Sequence, residues 1–413
     1  MEGLYYGIDI NSRTTIVSYY QPAMADPNTI SMVMGSDEYQ IPTALAKKNG
    51  MAQWYYGRDA KMQAAAGSAT EVPFLLENAL QNKIVTLEGR LYSARDLLSV
   101  YLKHLLELTG IPFKRQTVKK LVVTSEHLSM EMVEMMSIVA GKLGISNDQL
   151  LLIDHRESFY YYALNQKNEL FLHDVMLFEA TGDKILSCRL QRDDSTRPQT
   201  IHFLEHIYEM HMESRDQEFT TVCKDLIEED VVSCVYLVGD GFDGNWMKES
   251  LAYLVKGRHV FIGKNLYSKG ACFSGLIRNK EKEWPFVYIG DNEMKFNLSL
   301  KVNDRNEVKF ITLITAGESW FNTKGECEVI LDGSPEVELW IQKPESRRAK
   351  VDLLQLTDLP ERENRTTRLR ISAVPVSDQE IRVTIRDMGF GEIEASSGKS
   401  WTHTVSAEDG IDG

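Results

Sequence analysis

A strand–turn–strand pattern at residues 4–19 contains the side chains best suited to chemistry. Its first arm is apolar and ends in Gly7-Ile8-Asp9, a polar turn follows, and residues 15–19 resume the strand. Main-chain N–H groups and hydroxyls in such a turn converge on one point, which suits a phosphate group, and a carboxylate beside it can hold the waters of a magnesium ion. The candidate residues are Asp9, Asn11, Ser12, Arg13 and Thr14. An ordinary hairpin is the alternative interpretation.

The composition indicates a globular protein and argues against nucleic-acid and membrane binding. The 413 residues are 43% hydrophobic and 26% charged, with a net charge of -14, which is typical of a globular protein with two or three domains. Nucleic-acid binders need basic surface to neutralise phosphates, so this charge argues against that class. No apolar run approaches the roughly 20 residues that cross a bilayer, and the start lacks the basic and apolar regions of a signal peptide. We therefore expect a protein that binds neither nucleic acid nor membrane.

The cysteines favour a reducing compartment. They are scattered, odd in number and never spaced as C-x-x-C, which predicts structural thiols in a cytoplasmic protein. The five are Cys188, Cys223, Cys234, Cys272 and Cys327.

The element pattern changes near residue 280. Before it, strand and helix signals alternate, as in an α/β architecture. From Trp284 onward, only strand and turn signals occur, and residues 296–301 alternate apolar and polar side chains with the period of a half-buried strand. Short strands at this spacing predict a β-sandwich or barrel. We expect Trp320, Trp340 and Trp401 to pack in its core.

The order of motifs in the first part resembles the nucleotide-binding domain of Hsp70, in the actin, sugar kinase and Hsp70 superfamily. The Gly7-Ile8-Asp9 hairpin resembles the first phosphate loop of that superfamily. Residues 122–154 resemble the strand–helix–strand that precedes the second phosphate loop. Tyr236-Leu237-Val238-Gly239-Asp240-Gly241 resembles the adenosine motif, and Lys269-Gly270-Ala271-Cys272 resembles the start of the last helix.

The second part resembles the substrate-binding domain of the same family. Residues 314–320, 338–345, 357–360 and 382–391 are similar to successive strands and turns of that domain. The resemblance implies an α/β region followed by an all-β region, namely an actin-like two-lobed (RNase H-like) ATPase domain with a reduced second lobe, then a β-sandwich. It places lobe I at residues 1–165, lobe II at 166–280, the sandwich at 281–405 and an acidic tail at 406–413.

The resemblance also implies roles for single residues. Asp9 would hold magnesium-bound water, Ser12 and Thr14 would contact phosphate, and Asn11 and Arg13 complete the first loop. In the second loop, Glu179 stands where the family has Asp, followed by Thr181 and Gly182. Gly239 and Gly241 would flank the adenosine.

Departures from the family pattern argue against efficient catalysis. The second loop keeps only Gly182 of the family's glycines, which allow close approach of main-chain N–H groups to phosphate. Asp183 would bring a negative charge against the phosphates, and Asp154-His155-Arg156 replaces Asn-Glu-Pro. The segment between residues 190 and 235 is also shorter than the family's insertion. The prediction is a degenerate Hsp70-like scaffold or chaperone-like regulator with weak or no ATPase activity.

The alternative is an active ATP-dependent chaperone that hydrolyses ATP with magnesium, and only this alternative requires those cofactors. A protein or peptide partner is expected in both cases. Because the turn at residues 301–307 is polar where the family uses apolar loops, the sandwich is expected to bind a more polar partner or to add a strand.

One metal motif is set aside. His202, Glu205 and His206 match the H-x-x-E-H pattern of zinc peptidases, which requires a helix. The neighbouring apolar residues alternate as in a strand, so we predict a strand and no metal site.

Overall fold

The structure is a computed structural model that describes residues 3–33, 35–111, 113, 117–228, 231–305 and 307–406. It is mixed α/β at first and all-β afterwards, as predicted. The chain forms two compact units. Unit 1 comprises Met1–Gln191 and Phe203–Trp284, and unit 2 comprises Arg192–His202 and Pro285–Gly413. The predicted acidic tail, apart from Ser406, lies outside the described residues.

All eight α-helices of the described chain and most of the first sixteen strands belong to unit 1. The strands are β1 (Leu4–Ile10), β2 (Thr14–Tyr20), β3 (Asn28–Thr29), β4 (Ile41–Pro42), β5 (Leu45–Lys48), β6 (Trp54–Tyr56), β7 (Ala69–Glu71), β8 (Ile84–Leu87), β9 (Arg90–Ser93), β10 (Val118–Ser125), β11 (Leu150–Asp154), β12 (Asp174–Thr181), β13 (Lys184–Asp193), β14 (Gln199–Glu209), β15 (Val232–Val238) and β16 (His259–Ile262). The helices are α1 (Gly57–Ala65), α2 (Leu75–Leu80), α3 (Ala94–Glu107), α4 (Met130–Lys142), α5 (His155–Leu164), α6 (Arg215–Ile227), α7 (Glu249–Leu254) and α8 (Leu266–Arg278).

Two sheets of unit 1 share one strand order. In the first sheet the order is β11-β10-β1-β2-β3, in which β1 is antiparallel to β2 and parallel to β10. In the second sheet the order is β16-β15-β12-β13-β14, in which β12 is antiparallel to β13 and parallel to β15. Both central strands are buried along most of their length, which explains their nearly continuous apolar sequence. The turn after β1 and the turn after β12 are therefore equivalent positions in the two sheets.

Helix α8 packs against both β1 and α5, and small residues permit this close packing. A Cβ atom at Gly7 would overlap the carbonyl oxygen of Ser268, and one at Gly270 would overlap that of Ser158. The hydroxyls of Ser18 and Ser268 are 2.8 Å apart and join β2 to α8. Gly7 of β1 and Gly270 of α8 therefore allow the helix to pack closely against β1 and α5.

Unit 2 is built from two four-stranded sheets. Its strands are β17 (Phe286–Tyr288), β18 (Asn297–Asp304), β19 (Glu307–Ile314), β20 (Gly325–Ile330), β21 (Glu336–Gln342), β22 (Lys350–Gln355), β23 (Arg368–Pro375), β24 (Glu380–Asp387) and β25 (Ser400–Ser406). The sheets have the orders β19-β18-β21-β22 and β20-β23-β24-β25, and β17 pairs with residues 199–201. Phe296, Leu298 and Leu300 are buried in the apolar core of unit 2, which confirms the half-buried strand predicted for residues 296–301. Alternate residues of β23 and β24 are buried in the same core.

The tryptophan prediction is partly wrong. Trp320 and Trp401 pack against the core of unit 2. Trp340 instead lies between the inward-facing Leu339 and Ile341 on β21 and so faces the other side of the sheet, where its ring contacts Phe310 at a centroid distance of 5.1 Å.

No helix in the described ranges is long and apolar enough to cross a membrane. All five cysteines are free thiols, and four of them are buried.

Candidate functional site

The two predicted carboxylates occupy equivalent places in the two sheets. Asp9 is the next-to-last residue of β1, and Glu179 lies near the end of β12. Each is followed by the turn that was predicted to bind phosphate. The structure therefore brings the ends of β1 and β12 into position as candidate elements of one site.

Asp9 is engaged by an imidazole. His155 is the first residue of α5, and Asp154 before it caps the helix by accepting a hydrogen bond from the Glu157 N–H at 2.7 Å. The cap fixes the start of the helix, and His155 Nε2 lies 2.9 Å from Asp9 Oδ1. Burial lowers the pKa of His155, but the charge and hydrogen bond of Asp9, together with the charges of Glu179 and Asp154, raise it by more, so the pKa lies above its ordinary value. The carboxylate therefore stabilises the protonated form of the imidazole.

Glu179 is engaged by a phenol. The hydroxyl of Tyr267, on α8, donates to Glu179 Oε2 at 2.7 Å. Burial raises the pKa of Glu179, although the positive charge of His155 opposes this. Burial and the Glu179 carboxylate also raise the pKa of Tyr267 well above its usual range, so the phenol remains a donor.

The two pairs join into one cluster through their rings. The rings of His155 and Tyr267 stack with centroids 3.8 Å apart and planes 10° apart. Asp9, His155, Tyr267 and Glu179 therefore form a continuous chain from the first sheet to the second. We name these four residues the carboxylate cluster. The Nδ1 atom of His155 is buried without a hydrogen-bond partner among the described residues.

The first turn uses its main-chain donors internally. The Asn11 side-chain oxygen Oδ1 accepts hydrogen bonds from the N–H groups of Arg13 and Thr14, each at 2.9 Å. The Asn11 N–H donates to the Thr14 carbonyl at 3.0 Å. Ser12 and Arg13 are exposed. Because Asn11 already satisfies these donors, they are not directed at a ligand.

The second turn is exposed to solvent, and a side chain of α6 hydrogen-bonds to its main chain. Thr181, Gly182 and Asp183 are exposed, and Gly182 adopts a positive φ of 62°. Arg215, at the start of α6, donates to the Gly182 carbonyl at 3.2 Å and stacks over the Trp246 ring at 4.5 Å. The glycine is thus required by the tight turn itself.

Gly239 and Gly241 follow β15 and lie against the other side of the same turn. A Cβ atom at Gly239, whose φ is 96°, would overlap the carbonyl oxygen of Ala180. A Cβ atom at Gly241 would lie 2.6 Å from the Ala180 Cβ. Both glycines are therefore explained by the close approach of the chain to β12.

Gln40 and Lys264, which no sequence motif singled out, both contact the segment after β15. Gln40 Nε2 donates to Asp240 Oδ1 at 2.9 Å, and Lys264 Nζ lies 2.8 Å from the same oxygen. Lys264 also pairs with Asp243 at 2.6 Å. The role of Lys264 is hard to predict from the sequence, because its partners Asp243 and Asp240 lie 21 and 24 residues away along the chain.

The H-x-x-E-H residues lie on β14, which confirms the strand prediction. His202 and His206 are exposed, whereas Glu205 accepts two hydrogen bonds from Arg156 at 2.6 and 2.8 Å. This pair lines a cavity of about 50 Å³ beside His155 and Tyr267. Across the residues that the structure describes, no group of three His, Cys, Asp or Glu side chains is arranged to hold a metal ion.

Family models cover nearly the whole chain. One described as a family of unknown function (DUF5716) C-terminal matches residues 26–291. Another, described as a domain of unknown function (DUF8552), matches residues 293–407. No curated protein matches the chain. Because the first model covers more than half of the residues, the chain belongs to the DUF5716 family.

Proposed function

We propose that this member of the DUF5716 family is a degenerate Hsp70-like protein that acts as a binding scaffold or chaperone-like regulator with weak or no ATPase activity. The repeated strand order of unit 1 supports an actin-like, two-lobed (RNase H-like) arrangement, with β1 and β12 as the equivalent central strands. The two four-stranded sheets of unit 2 support the predicted sandwich.

One observation carries the proposal: both carboxylates that would serve magnesium already have protein partners. Asp9 pairs with the His155 imidazole, and Glu179 accepts a hydrogen bond from Tyr267. A magnesium ion needs free carboxylate or water oxygens at about 2.0–2.1 Å. The protonated form of His155, which Asp9 stabilises, would also repel the cation at short range. These residues do not fit a magnesium ion.

The turns argue against a triphosphate as well. Phosphate loops work by presenting unpaired main-chain N–H groups to the anion. Here Asn11 accepts the N–H groups of Arg13 and Thr14. Gly239 and Gly241 pack on Ala180, so their lack of a side chain already has a structural reason. The features that resemble nucleotide motifs therefore serve the fold of unit 1.

Unit 2 offers a surface for recognition of a protein or peptide. A groove of about 1180 Å³ lies between the β18–β19 turn and the segment that links β20 to β21. Its floor is apolar and includes Leu300, Leu369 and Ile371, which are almost fully buried. Its rim is charged, through Lys301, Arg305, Glu328, Asp332, Glu336, Glu338, Arg365 and Arg368. A rim of both signs suits a polar segment better than a purely apolar one.

Calorimetric titration with ATP and magnesium tests the proposal. The wild-type protein should give no saturable heat, and its melting temperature should not rise with ATP, because a ligand that binds only the folded state would raise it. Asp9→Ala tests the site, and Asp59→Ala, an exposed carboxylate on α1, is the matched control. Saturable magnesium-dependent binding that Asp9→Ala abolishes and Asp59→Ala retains would refute the scaffold and favour the active chaperone.

A further inference from the structure

Strand β16 is the outermost strand of the second sheet of unit 1. It pairs in parallel with β15, from Cys234 opposite His259 to Leu237 opposite Ile262. No other strand of the described chain pairs with its far side. Its side chains remain open to solvent, since Phe261 is 44% exposed and Ile262 is 55% exposed. An open strand edge with exposed apolar side chains is a template for pairing with another chain.

The hydrogen bonds show which main-chain groups are available. The Gly263 N–H donates to the Leu237 carbonyl at 3.0 Å, so residue 263 directs its N–H toward β15. Because alternate residues of a strand direct their main-chain groups to the same edge, the N–H and C=O groups of Val260 and Ile262 face away from β15. Two residues of β16 therefore offer donors and acceptors to an added strand.

The sequence segment that contains β16 is basic, although the protein as a whole is acidic. The chain carries a net charge of -14, yet residues 250–280 contain no Asp or Glu. Lys264, Lys269 and Arg278 in that segment pair with carboxylates elsewhere in unit 1. Lys256 and Arg258, directly before β16, have no carboxylate partner among the described residues. Lys256 is exposed, and the half-buried Arg258 lies over the Tyr253 ring at 5.3 Å.

We infer that β16 is a docking edge for an extended segment of a partner protein that alternates apolar and acidic residues. The partner's main chain would pair with Val260 and Ile262. Because successive side chains of a strand face opposite sides of the sheet, its apolar side chains would cover Phe261 on one face. Its carboxylates, on the other face, would meet Arg258 and the neighbouring Lys256. This is binding by strand addition, in which main-chain hydrogen bonds give affinity and side chains give specificity. It extends the proposed scaffold function, on which it rests, by naming a partner surface outside the carboxylate cluster.

The test uses a fluorescein-labelled heptapeptide of alternating glutamate and valine, with a lysine–valine heptapeptide as its counterpart. Fluorescence anisotropy with the full-length protein, in the absence of nucleotide, should show binding of the glutamate peptide that weakens with salt. Val260→Pro removes an outward N–H, which an edge strand tolerates, and should weaken binding by about tenfold or more. The control is Leu204→Ser, a change at an exposed residue of β14, three strands away from β15 in the same sheet, and this variant should bind like the wild type.

A second variant guards against misfolding of Val260→Pro. The double change Lys256→Glu and Arg258→Glu should abolish binding of the glutamate peptide and confer binding of the lysine peptide. Equal binding of both peptides by the wild type, or undiminished binding by folded Val260→Pro, overturns the inference. The inference is also overturned if analytical ultracentrifugation shows a concentration-dependent dimer of the wild type that Val260→Pro abolishes. Because no step involves ATP, failure here leaves the interpretation of the carboxylate cluster untouched.

Discussion

Replacing Asp9 by Asn should weaken unit 1 in a pH-dependent way. The amide keeps the shape of the carboxylate but removes the negative charge that raises the pKa of His155. In the variant only burial and more distant carboxylates act on the imidazole, so its pKa should fall. The Asn side-chain oxygen can still accept a hydrogen bond from neutral His155 over the same 2.9 Å. The change therefore isolates the ionic part of this pair.

The expected magnitude follows from distance and burial. Opposite charges about 4 Å apart attract by about 4 kcal/mol at an effective dielectric constant of about 20. The two side chains are 10% and 15% exposed, so much of this attraction offsets the loss of hydration. We expect Asp9→Asn to lower the free energy of unfolding by about 1–3 kcal/mol where His155 is charged.

The pH dependence has a defined sign. A histidine whose folded-state pKa is raised contributes stability that is fully present below its unfolded pKa of about 6.5 and is lost as pH rises through the folded pKa. The carboxylates of Glu179 and Asp154 and the Tyr267 ring also face His155, but they are the same in both proteins. The difference between wild type and Asp9→Asn should therefore be largest near pH 6 and decline at higher pH.

Urea unfolding of both proteins at several pH values measures this difference. Asp59→Asn, on the exposed face of α1, is the control and should change stability little at any pH. Selective ¹³C labelling of histidine would give the His155 pKa directly, with its signal identified by its absence in His155→Gln. An equal loss of stability by Asp9→Asn at low and high pH, with an unchanged His155 pKa, would refute the proposed ion pair.

Three further predictions concern other contacts. Tyr267→Phe removes the hydroxyl that donates to Glu179 and should lower the free energy of unfolding, measured by thermal unfolding, by about 1–3 kcal/mol. An unchanged free energy of unfolding would show that water replaces the hydroxyl without loss of stability. Gly239→Ala should lower the free energy of unfolding by about 2–4 kcal/mol, because the added Cβ would overlap Ala180. Gly182→Ala, which has open space around its Cβ, should lower it by only about 1 kcal/mol. Equal melting temperatures of these two variants would contradict the packing role of Gly239. Arg362→Met should lower the free energy of unfolding by about 3–5 kcal/mol, because it leaves the buried Asp387 carboxylate without its ionic partner. A melting temperature within a degree of that of the wild type would contradict this prediction. Arg362 lowers the pKa of Asp387, so in the wild type this contribution is present above the unfolded pKa of Asp387 and is lost as pH falls through the folded pKa.

Periodicity was sufficient to predict the class of fold. The alternation in residues 296–301 predicted a half-buried strand, and the structure buries Phe296, Leu298 and Leu300. The hairpins at Asp9 and Glu179 were predicted at their observed places. Trp340 was assigned to the core because of its size, although the alternation with Leu339 and Ile341 already indicates the opposite face. Local pattern was the better guide there.

The carboxylate cluster could not be predicted in the same way, because its bonds join distant parts of the chain. His155 was recognised as a departure from the family pattern, but its partner Asp9 is 146 residues away. Tyr267 and Glu179 are 88 residues apart. Only the packing of α8 against β1 and α5 brings these groups together. Pairing between the sheets depends on tertiary structure, about which a single sequence contains little information.

A crystal structure of the protein grown with magnesium and a non-hydrolysable ATP analogue tests the central claim most directly. We predict that Asp9 remains paired with His155, Glu179 remains bonded to Tyr267, and no nucleotide lies between the turns at residues 11–14 and 181–183. Electron density for a nucleotide whose phosphates contact those turns, with the His155 ring displaced from Asp9, would contradict it.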